Sequence, residues 1–332
     1  MNYIGIDVSK AKLDCCLLLD VSTCKRKTKS LPNTTAGFTE LLVWIIKQGL
    51  PLAHTHVVME GTGVYHEQAA LALHDGGVVV SIINPAQARD FARSLAIRTK
   101  NDIVDSLVLA RYGALLQPSV WIPPTPQARA LQALIARADA VAQDLRRELN
   151  RKEKASATQT PELICQSLND SIAFLQKQLK KLQQDIDNHI DQYPELKDDE
   201  ALLTSIPGIG PRAGQHVLSV MHLHRFNSAE RLASYLGLVP IERQSGTSLH
   251  GRSRMSKTGP AHIRAVLYMA AIVAIRHNPH VKAIYERLLA AGKSKMAALG
   301  AAMRKLVHLC FGVLKSRQPY QANYGLQDAC KS

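Results

Sequence analysis

The stretch "YIGIDVSKAKLDCCLLLD", residues 3–20, decides the fold. "YIGID" and "LDCCLLLD" are short apolar runs separated by "VSKAK", a pattern that pairs as a β-hairpin. The first run ends on Asp7. A carboxylate at the end of a buried strand costs solvation free energy unless something holds it. Asp7 therefore calls for partners elsewhere in the chain.

Working outward, "GFTELLVWIIKQG" (37–49) has helical spacing and stops at a glycine. "HTHVVME" (54–60) reads as a strand ending at Glu60, and "HEQAALALHDGG" (66–77) as an amphipathic helix stopped by two glycines. "VVVSIINP" (78–85) is a buried strand closed by Pro85, and "DIVDSLVLARYGALL" (102–116) is a helix. This β-β-α-β-α-β-α order predicts a mixed sheet covered by helices. "PSVWIPPTP" (118–126) marks a boundary.

Beyond it, Leu131, Leu134, Ala138, Val141, Leu145 and Leu149 recur at three and four residues. Leu168, Ile172, Leu175, Leu179, Leu182 and Ile186 do the same, after a break at "ASATQTPE". Two heptad seams of this kind predict a helical hairpin or an intermolecular coiled coil, serving as a spacer or for dimerisation. The remainder is helical and basic with glycine-rich turns. The expected class is α/β plus α, divided as 1–125, 126–196 and 197–332.

Apolar residues make up 46% and charged residues 20%, which places the 332-residue chain among globular proteins and excludes a disordered one. The net charge of +14 points to nucleic acid. The cysteines form no C-x-x-C pair and have no histidine at zinc spacing, which fits a reducing cytoplasm. No basic segment followed by an apolar one opens the chain, so no secretory signal is expected. The longest apolar stretch, "IRAVLYMAAIVAI" (263–275), carries Arg264 and is too short to span a bilayer. It is expected as a buried helix, with no membrane partner. His54, His56, His222 and His224 form H-x-H pairs expected on strands, turns or surfaces rather than on a metal.

Four acids carry the chemistry. Asp7 and Glu60 end predicted strands, the edge of an α/β sheet where ligands bind. Asp102 and Asp105 share one face at the start of a helix. Read structurally, each would be a capping or surface acid. Read together, they repel one another, and divalent cations relieve that repulsion. Hard carboxylate oxygens suit magnesium, and a pair of such ions stabilises the attacking and leaving oxygens at a phosphodiester. An actin-like sugar kinase also opens with an apolar strand and an Asp, but its phosphate turn is glycine-rich. "DVSKAK" contains no glycine.

In the C-terminal part, "LLTSIPGIGPRAGQHVLS" (202–219) reads as helix, glycine turn, helix. Gly208 and Gly210 would let backbone amides approach a phosphate, with Arg212 beside them. It is similar to a helix-hairpin-helix DNA-backbone motif; the plain alternative is an ordinary helix–helix turn. "ERQSGTSLHGRSRMSKTG" (242–259) sets Ser245, Ser248, Ser253 and Ser256 among Arg243, Arg252, Arg254 and Lys257. It is expected as a flexible loop that contacts phosphates, or that carries a serine nucleophile assisted by guanidinium groups. Spacing does not choose among the four serines.

Taken in order, these motifs resemble the DEDD-type insertion-sequence transposases, the bridge RNA-guided recombinases. The likeness rests on "YIGIDVSKAKLD", "VVMEGTGVY", "VVSIINPAQARDFARS" and "RTKNDIVDSLVLA", then on "LLTSIPGIGPRAG", "YLGLVP", "QSGTSLHGRSRMSKTGPAHIRAVLYMAA" and "GKSKMAALGAAMRKL". It spans nearly the whole chain. The resemblance implies an N-terminal RuvC-like (RNase H-type) domain, a coiled-coil arm and a C-terminal transposase domain. It implies that Asp7, Glu60, Asp102 and Asp105 bind Mg2+ and that Ser245 is the nucleophile that becomes joined to DNA. It further implies a noncoding bridge RNA pairing with target and donor DNA, and a dimer or tetramer whose site combines the acids of one protomer with the serine of another. Guidance by RNA is consistent with a basic chain of only 5% aromatic residues, which offers little surface for stacking bases. Two other readings use fewer of these features: a RuvC-like metal-dependent nuclease or junction resolvase with water as nucleophile, and a non-enzymatic DNA-binding scaffold.

Overall fold

A computed structural model of the chain describes residues 1–61, 63–97, 99, 101–242, 244–245, 249–250 and 254–323, those at 244–245 and 249–250 by their backbone. The opening stretch forms β1 (Asn2–Val8) and β2 (Lys12–Leu18), which pair antiparallel with Asp7 opposite Asp14. A strand follows that the sequence pattern did not suggest, β3 (Arg26–Pro32). Its run "RKTKSLP" is charged because it is the edge of the sheet, where cations discourage pairing with another chain. β4 (Thr55–Glu60) and β5 (Val79–Ile83) add in parallel on the other side, giving the order β3-β2-β1-β4-β5.

Residue parity assigns the two faces of this sheet. Ile4, Ile6, Leu13, Cys15, Leu17, Val57 and Met59 point to one side. There they pack with Phe38, Leu41 and Ile45 of α1 (Thr35–Lys47) and with Ala69, Ala70 and Leu73 of α2 (Glu67–Asp75). Each large side chain buried this way contributes about 1.5–3 kcal/mol. The opposite side takes α3 (Pro85–Ser94), which the sequence reading did not assign, and α4 (Asp102–Leu116). α3 is specified by its ends: Asn84 and Gln87 form a capping box and Pro85 occupies the first turn.

α4 lies directly on β1. A Cβ on Gly5 would stand 2.0 Å from the carbonyl oxygen of Ser106 and 2.3 Å from the amide nitrogen of Ala110. Only glycine permits that approach of backbone to backbone. The proline-rich segment is tied to the same unit. The Trp121 amide donates to the Val80 carbonyl at 2.7 Å, and the buried Ser81 hydroxyl donates to the Ser119 carbonyl at 2.8 Å. His56 Nε2, 2.8 Å from Ser81 Oγ, completes that network.

The chain divides into two compact units, Met1–Pro123 and Pro124–Ser332. The second is helical. α5 (Pro126–Ser156) and α6 (Glu162–Gln192) are 31 residues each and run antiparallel, with His189 Nε2 near the end of α6 sitting 2.9 Å from the Gln127 carbonyl at the start of α5. Leu131, Ile135, Ala138, Ile186 and Ile190 join a core built by α7 (Pro194–Thr204), α8 (Pro211–Leu223), α9 (Ala229–Tyr235), α10 (Ala261–His277), α11 (Pro279–Ala290) and α12 (Lys295–Ser316). At the far end of the hairpin Leu149, Leu163 and Ile164 are exposed. The "IRAVLYMAAIVAI" stretch is α10, with Ile263, Leu267, Ala270, Ala271 and Ala274 buried. α12 is long and apolar enough by composition to cross a membrane, but Leu306, Val307 and Cys310 are buried in the core of this unit.

The serine-bearing segment differs from the expected loop. β6 (Pro240–Ile241) pairs antiparallel with β9 (Arg254–Met255), and inside that ladder β7 (Gln244–Ser245) pairs with β8 (Leu249–His250). The described backbone is a short β-ribbon. Serine, glycine and arginine carry no strand signal, so the ribbon is set by pairing rather than by propensity.

Candidate active site

Three acids share one face of the N-terminal sheet by parity. Asp7 is two residues from Gly5, Glu60 is two from Val58, and Asp14 is two from Cys16, all on the side that α4 covers. α4 runs against β1 in the opposite sense. Its first turn, which carries Asp102 and Asp105, therefore lies toward the Asp7 end of the strand. Asn101 caps that turn, its side chain accepting from the Val104 amide at 2.9 Å.

The electrostatics reflect this convergence. The Asp7 carboxyl is pushed up to about 6, first by burial and then by repulsion from Asp105, Asp102, Glu60 and Asp14. The three other acids singled out in the sequence thus all act on Asp7, and Asp14 acts on it as well. The hairpin register sets Asp14 opposite Asp7.

Lys12 was also missed. Its Nζ donates to Asp102 Oδ2 at 2.6 Å and lies 3.0 Å from Asp14 Oδ2. The hydrogen bond from Lys12 holds the Asp102 carboxyl below the usual range. The turn that presents Lys12 is fixed by Ser9, whose hydroxyl accepts from the Lys12 amide at 3.1 Å and donates to the Lys12 carbonyl at 3.0 Å. Asn33 ties the acid-bearing loops together, donating to the Ser9 carbonyl at 2.9 Å and to the Tyr65 carbonyl at 3.0 Å.

Among the described residues, no three His, Cys, Asp or Glu side chains are drawn close enough to hold a metal ion. The chemistry of the donor set nevertheless fits one. It is all carboxylate oxygen, it carries excess negative charge around a half-buried Asp7, and a lysine already neutralises part of it. The H-x-H histidines serve other ends. His56 meets Ser81, His222 Nε2 sits 2.8 Å from Asp199 Oδ2, and His224 Nε2 sits 2.8 Å from the Tyr235 hydroxyl.

The second group of candidates lies in the C-terminal unit, partly around an open groove of about 1310 Å3. Gly208, Gly210, Arg212 and Lys257 line it, together with Arg146, Arg264 and the methionines Met255, Met269, Met296 and Met303. Gly208 has a structural reason to be glycine. Its φ is +104°, and a Cβ there would come within 2.6 Å of the Ala274 Cβ. Around Gly210 nothing lies within 4 Å of such a Cβ. Arg212 is partly committed, donating to Asp139 Oδ1 at 3.1 Å, while His216 Nε2 lies 2.9 Å from Asp139 Oδ2. Arg254 and Lys257 are exposed. Ser256 is engaged in a turn, with its hydroxyl 2.7 Å from that of Thr258. Arg243, Arg252, Ser248 and Ser253 lie outside the described residues, as does the side chain of Ser245.

Residues 4–155 match a DEDD transposase family of IS110 type, and residues 200–286 match the transposase IS116/IS110/IS902 family. The chain is 34% identical over 321 residues to a pilin gene-inverting protein of Moraxella lacunata, covering 96% of this chain and 97% of that one. The counterpart from Moraxella bovis is 33% identical over the same shares. An uncharacterised 43.6 kDa protein of insertion element IS110 from Streptomyces coelicolor is 28% identical over 166 residues, half of this chain and 40% of the other.

Proposed function

Since the chain belongs to the DEDD-type insertion-sequence transposase family, whose members break and rejoin DNA as transposases and site-specific recombinases, we propose that it does so through a covalent phosphoserine link formed by Ser245. The observation that supports the metal-assisted half of this reading is the convergence of Asp7, Glu60 and Asp14 with the first turn of α4 on one face of the sheet, where burial and the neighbouring acids push the Asp7 carboxyl up to about 6. Such a cluster destabilises the site unless cations join it, which is the expected state of a phosphodiester-cleaving centre.

In this reading residues 1–125 are the catalytic domain, 126–196 a coiled-coil arm, and 197–332 the transposase domain. Asp7, Glu60, Asp102 and Asp105 would hold Mg2+, which would supply polarisation of the scissile phosphate. The Ser245 oxygen attacks phosphorus and the P–O bond to deoxyribose breaks, with the serine's proton passing through solvent to the departing deoxyribose oxygen. A phosphoserine link conserves the bond energy, so a different strand end rejoins by the reverse attack without an external energy source. Asn101 caps the first turn of α4, Gly5 lets the middle of α4 rest on β1, and Asn33 fixes the loops. The turn between α7 and α8 acts as a helix-hairpin-helix-like contact. Gly210, Arg212, Arg243, Arg252, Arg254 and Lys257 meet nucleic-acid backbone, and Gly208 shapes the turn. A bridge-type RNA supplies sequence specificity, and the serine comes from another copy of the chain in a dimer or tetramer.

A second reading has its own observation. The Moraxella relatives, matched over nearly their whole length, are named for inverting a pilin gene. The same chemistry would then invert a DNA segment rather than move an element.

The test expresses the chain with its native flanking DNA, precipitates it under denaturing conditions and counts covalently attached DNA. The parent should carry adducts. Ser245→Ala should carry none, and Asp102→Asn should lose them as well. Strand cleavage that persists in Ser245→Ala without adduct establishes the water-dependent nuclease instead. An adduct in Ser245→Ala moves the nucleophile to another residue. Sequencing the co-purifying RNA should show one discrete species; heterogeneous RNA removes the guide from the proposal.

A further inference from the structure

The ion pair at the acid cluster has a geometry that a stray surface lysine lacks. Exposed pairs hold two flexible side chains together and contribute little. Lys12 instead bridges two elements, with its ammonium 2.6 Å from Asp102 on α4 and 3.0 Å from Asp14 on β2. Its backbone is pinned at both polar groups by Ser9. The two anchors differ: the Asp14 side chain is 14% exposed and the Asp102 side chain 52%. One carboxylate is a fixed post, and the other is open to an incoming ion.

We propose that Lys12 is a tethered counter-ion that holds Asp102 in place until a hard divalent cation takes that carboxylate, and that remains on Asp14 afterwards. The inference rests on the tetrad reading above and extends it to two residues outside the tetrad. Lys12 is a positioning residue in this role, acting through Asp102. An ammonium near several carboxylates lowers their mutual repulsion, so the site persists without metal. The same positive charge opposes a second cation. The charge-assisted bond to Asp102, short at 2.6 Å, competes with an incoming cation for that carboxylate. Because Asp14 retains the ammonium, the side chain pivots rather than leaving. A positive charge then stands beside the cation-bearing acids, where an approaching phosphodiester adds negative charge.

Competition and support predict opposite signs. If Lys12 only supports the fold of the site, removing it weakens metal binding. If it competes, removing it strengthens metal binding. The test is calorimetric titration of the full-length protein with Mn2+, in the absence of DNA, for the parent, Lys12→Gln, Lys12→Arg and Asp7→Asn. Lys12→Gln should bind Mn2+ about tenfold more tightly, the scale expected for removing one charge a few ångströms from the ion in a partly solvated site. Lys12→Arg keeps the charge and should stay within about twofold of the parent. Asp7→Asn should lose the binding.

Unchanged or weaker binding in Lys12→Gln, with binding lost in Asp7→Asn, overturns the counter-ion role and leaves the tetrad standing. Tightening in Lys12→Arg equal to that in Lys12→Gln overturns the assignment to charge. Mn2+ binding retained in Asp7→Asn overturns the tetrad reading and this inference with it.

Discussion

Asp7 at the sheet edge and the Asp139 and Asp199 carboxylates of the helical unit are treated in opposite ways. In the N-terminal unit, Asp7 sits among Glu60, Asp102, Asp105 and Asp14, and its carboxyl is raised to about 6. In the C-terminal unit Asp139 and Asp199 have cationic partners, whereas Glu200, bonded to the neutral Gln215 amide, is raised by burial and by Asp187 and Asp191. Burial pushes Asp139 and Asp199 upward, but the bonds from His216 and Arg212 to the first, and from His222 and Arg317 to the second, outweigh it and hold both below the usual range. Charges that are matched within the chain are architecture. Charges that the chain leaves in excess mark where a partner from outside is expected. The acids of the sheet edge are the candidate chemical site, and Asp139 and Asp199 are joints between helices.

The joints give the largest expected effect. Asp199 is nearly buried and ties α7 to His222 at the end of α8 and to Arg317 just beyond α12. Asp199→Ala leaves those cations beside a buried space, and breaking such a pair from one side costs about 3–5 kcal/mol. Urea denaturation of the variant should show that loss. A cost below about 1 kcal/mol would place Asp199 with the exposed pairs and weaken the comparison.

The two glycines of the α7–α8 turn sharpen it further. At Gly208 an added methyl group meets both a positive φ and the Ala274 side chain, so Gly208→Ala should destabilise by about 2 kcal/mol or more. At Gly210 the space is open, and Gly210→Ala should leave the thermal midpoint within a few degrees. If the turn contacts phosphate through its amides, Gly210→Ala should weaken binding to duplex DNA in a filter assay while stability holds. Equal loss of stability in both variants would make the whole turn a packing device.

Much of the sheet and of the acid site was legible because local periodicity and strand ends carry it. Apolar runs marked β1, β2, β4 and β5, and each strand-end acid fell at the edge where it was expected. β3 was illegible because an edge strand needs no apolar face on its charged side, and α3 because its signal is a capping box and a proline rather than a hydrophobic stripe. Asp14 and Lys12 were hidden for a different reason. Their roles exist only in the register of the hairpin and in the approach of α4, made 90 residues after Lys12 in the chain. The ribbon around Ser245 likewise depends on pairing between segments with no strand propensity of their own.

The smallest expected effect is the one that tests the criterion itself. Asp7 has a folded-state value near 6 against an ordinary 3.8. Between about pH 4 and 6 the folded protein keeps a proton that the unfolded chain has already released. Stability attributable to Asp7 therefore falls as pH rises through that window and stays low above it. Asp7→Asn removes the titration. Because Asp7 is only half-buried, solvent screens much of the shift, and the gain above pH 6 should be about 1 kcal/mol, with no difference near pH 4. The measurement is the urea midpoint of parent and variant at pH 8 and pH 4, in EDTA. Adding Mn2+ at pH 8 should then raise the parent alone, since a ligand stabilises only the state that binds it. A variant less stable than the parent at pH 8 would mean that the acid cluster is matched within the chain after all, and the contrast with Asp139 and Asp199 would disappear.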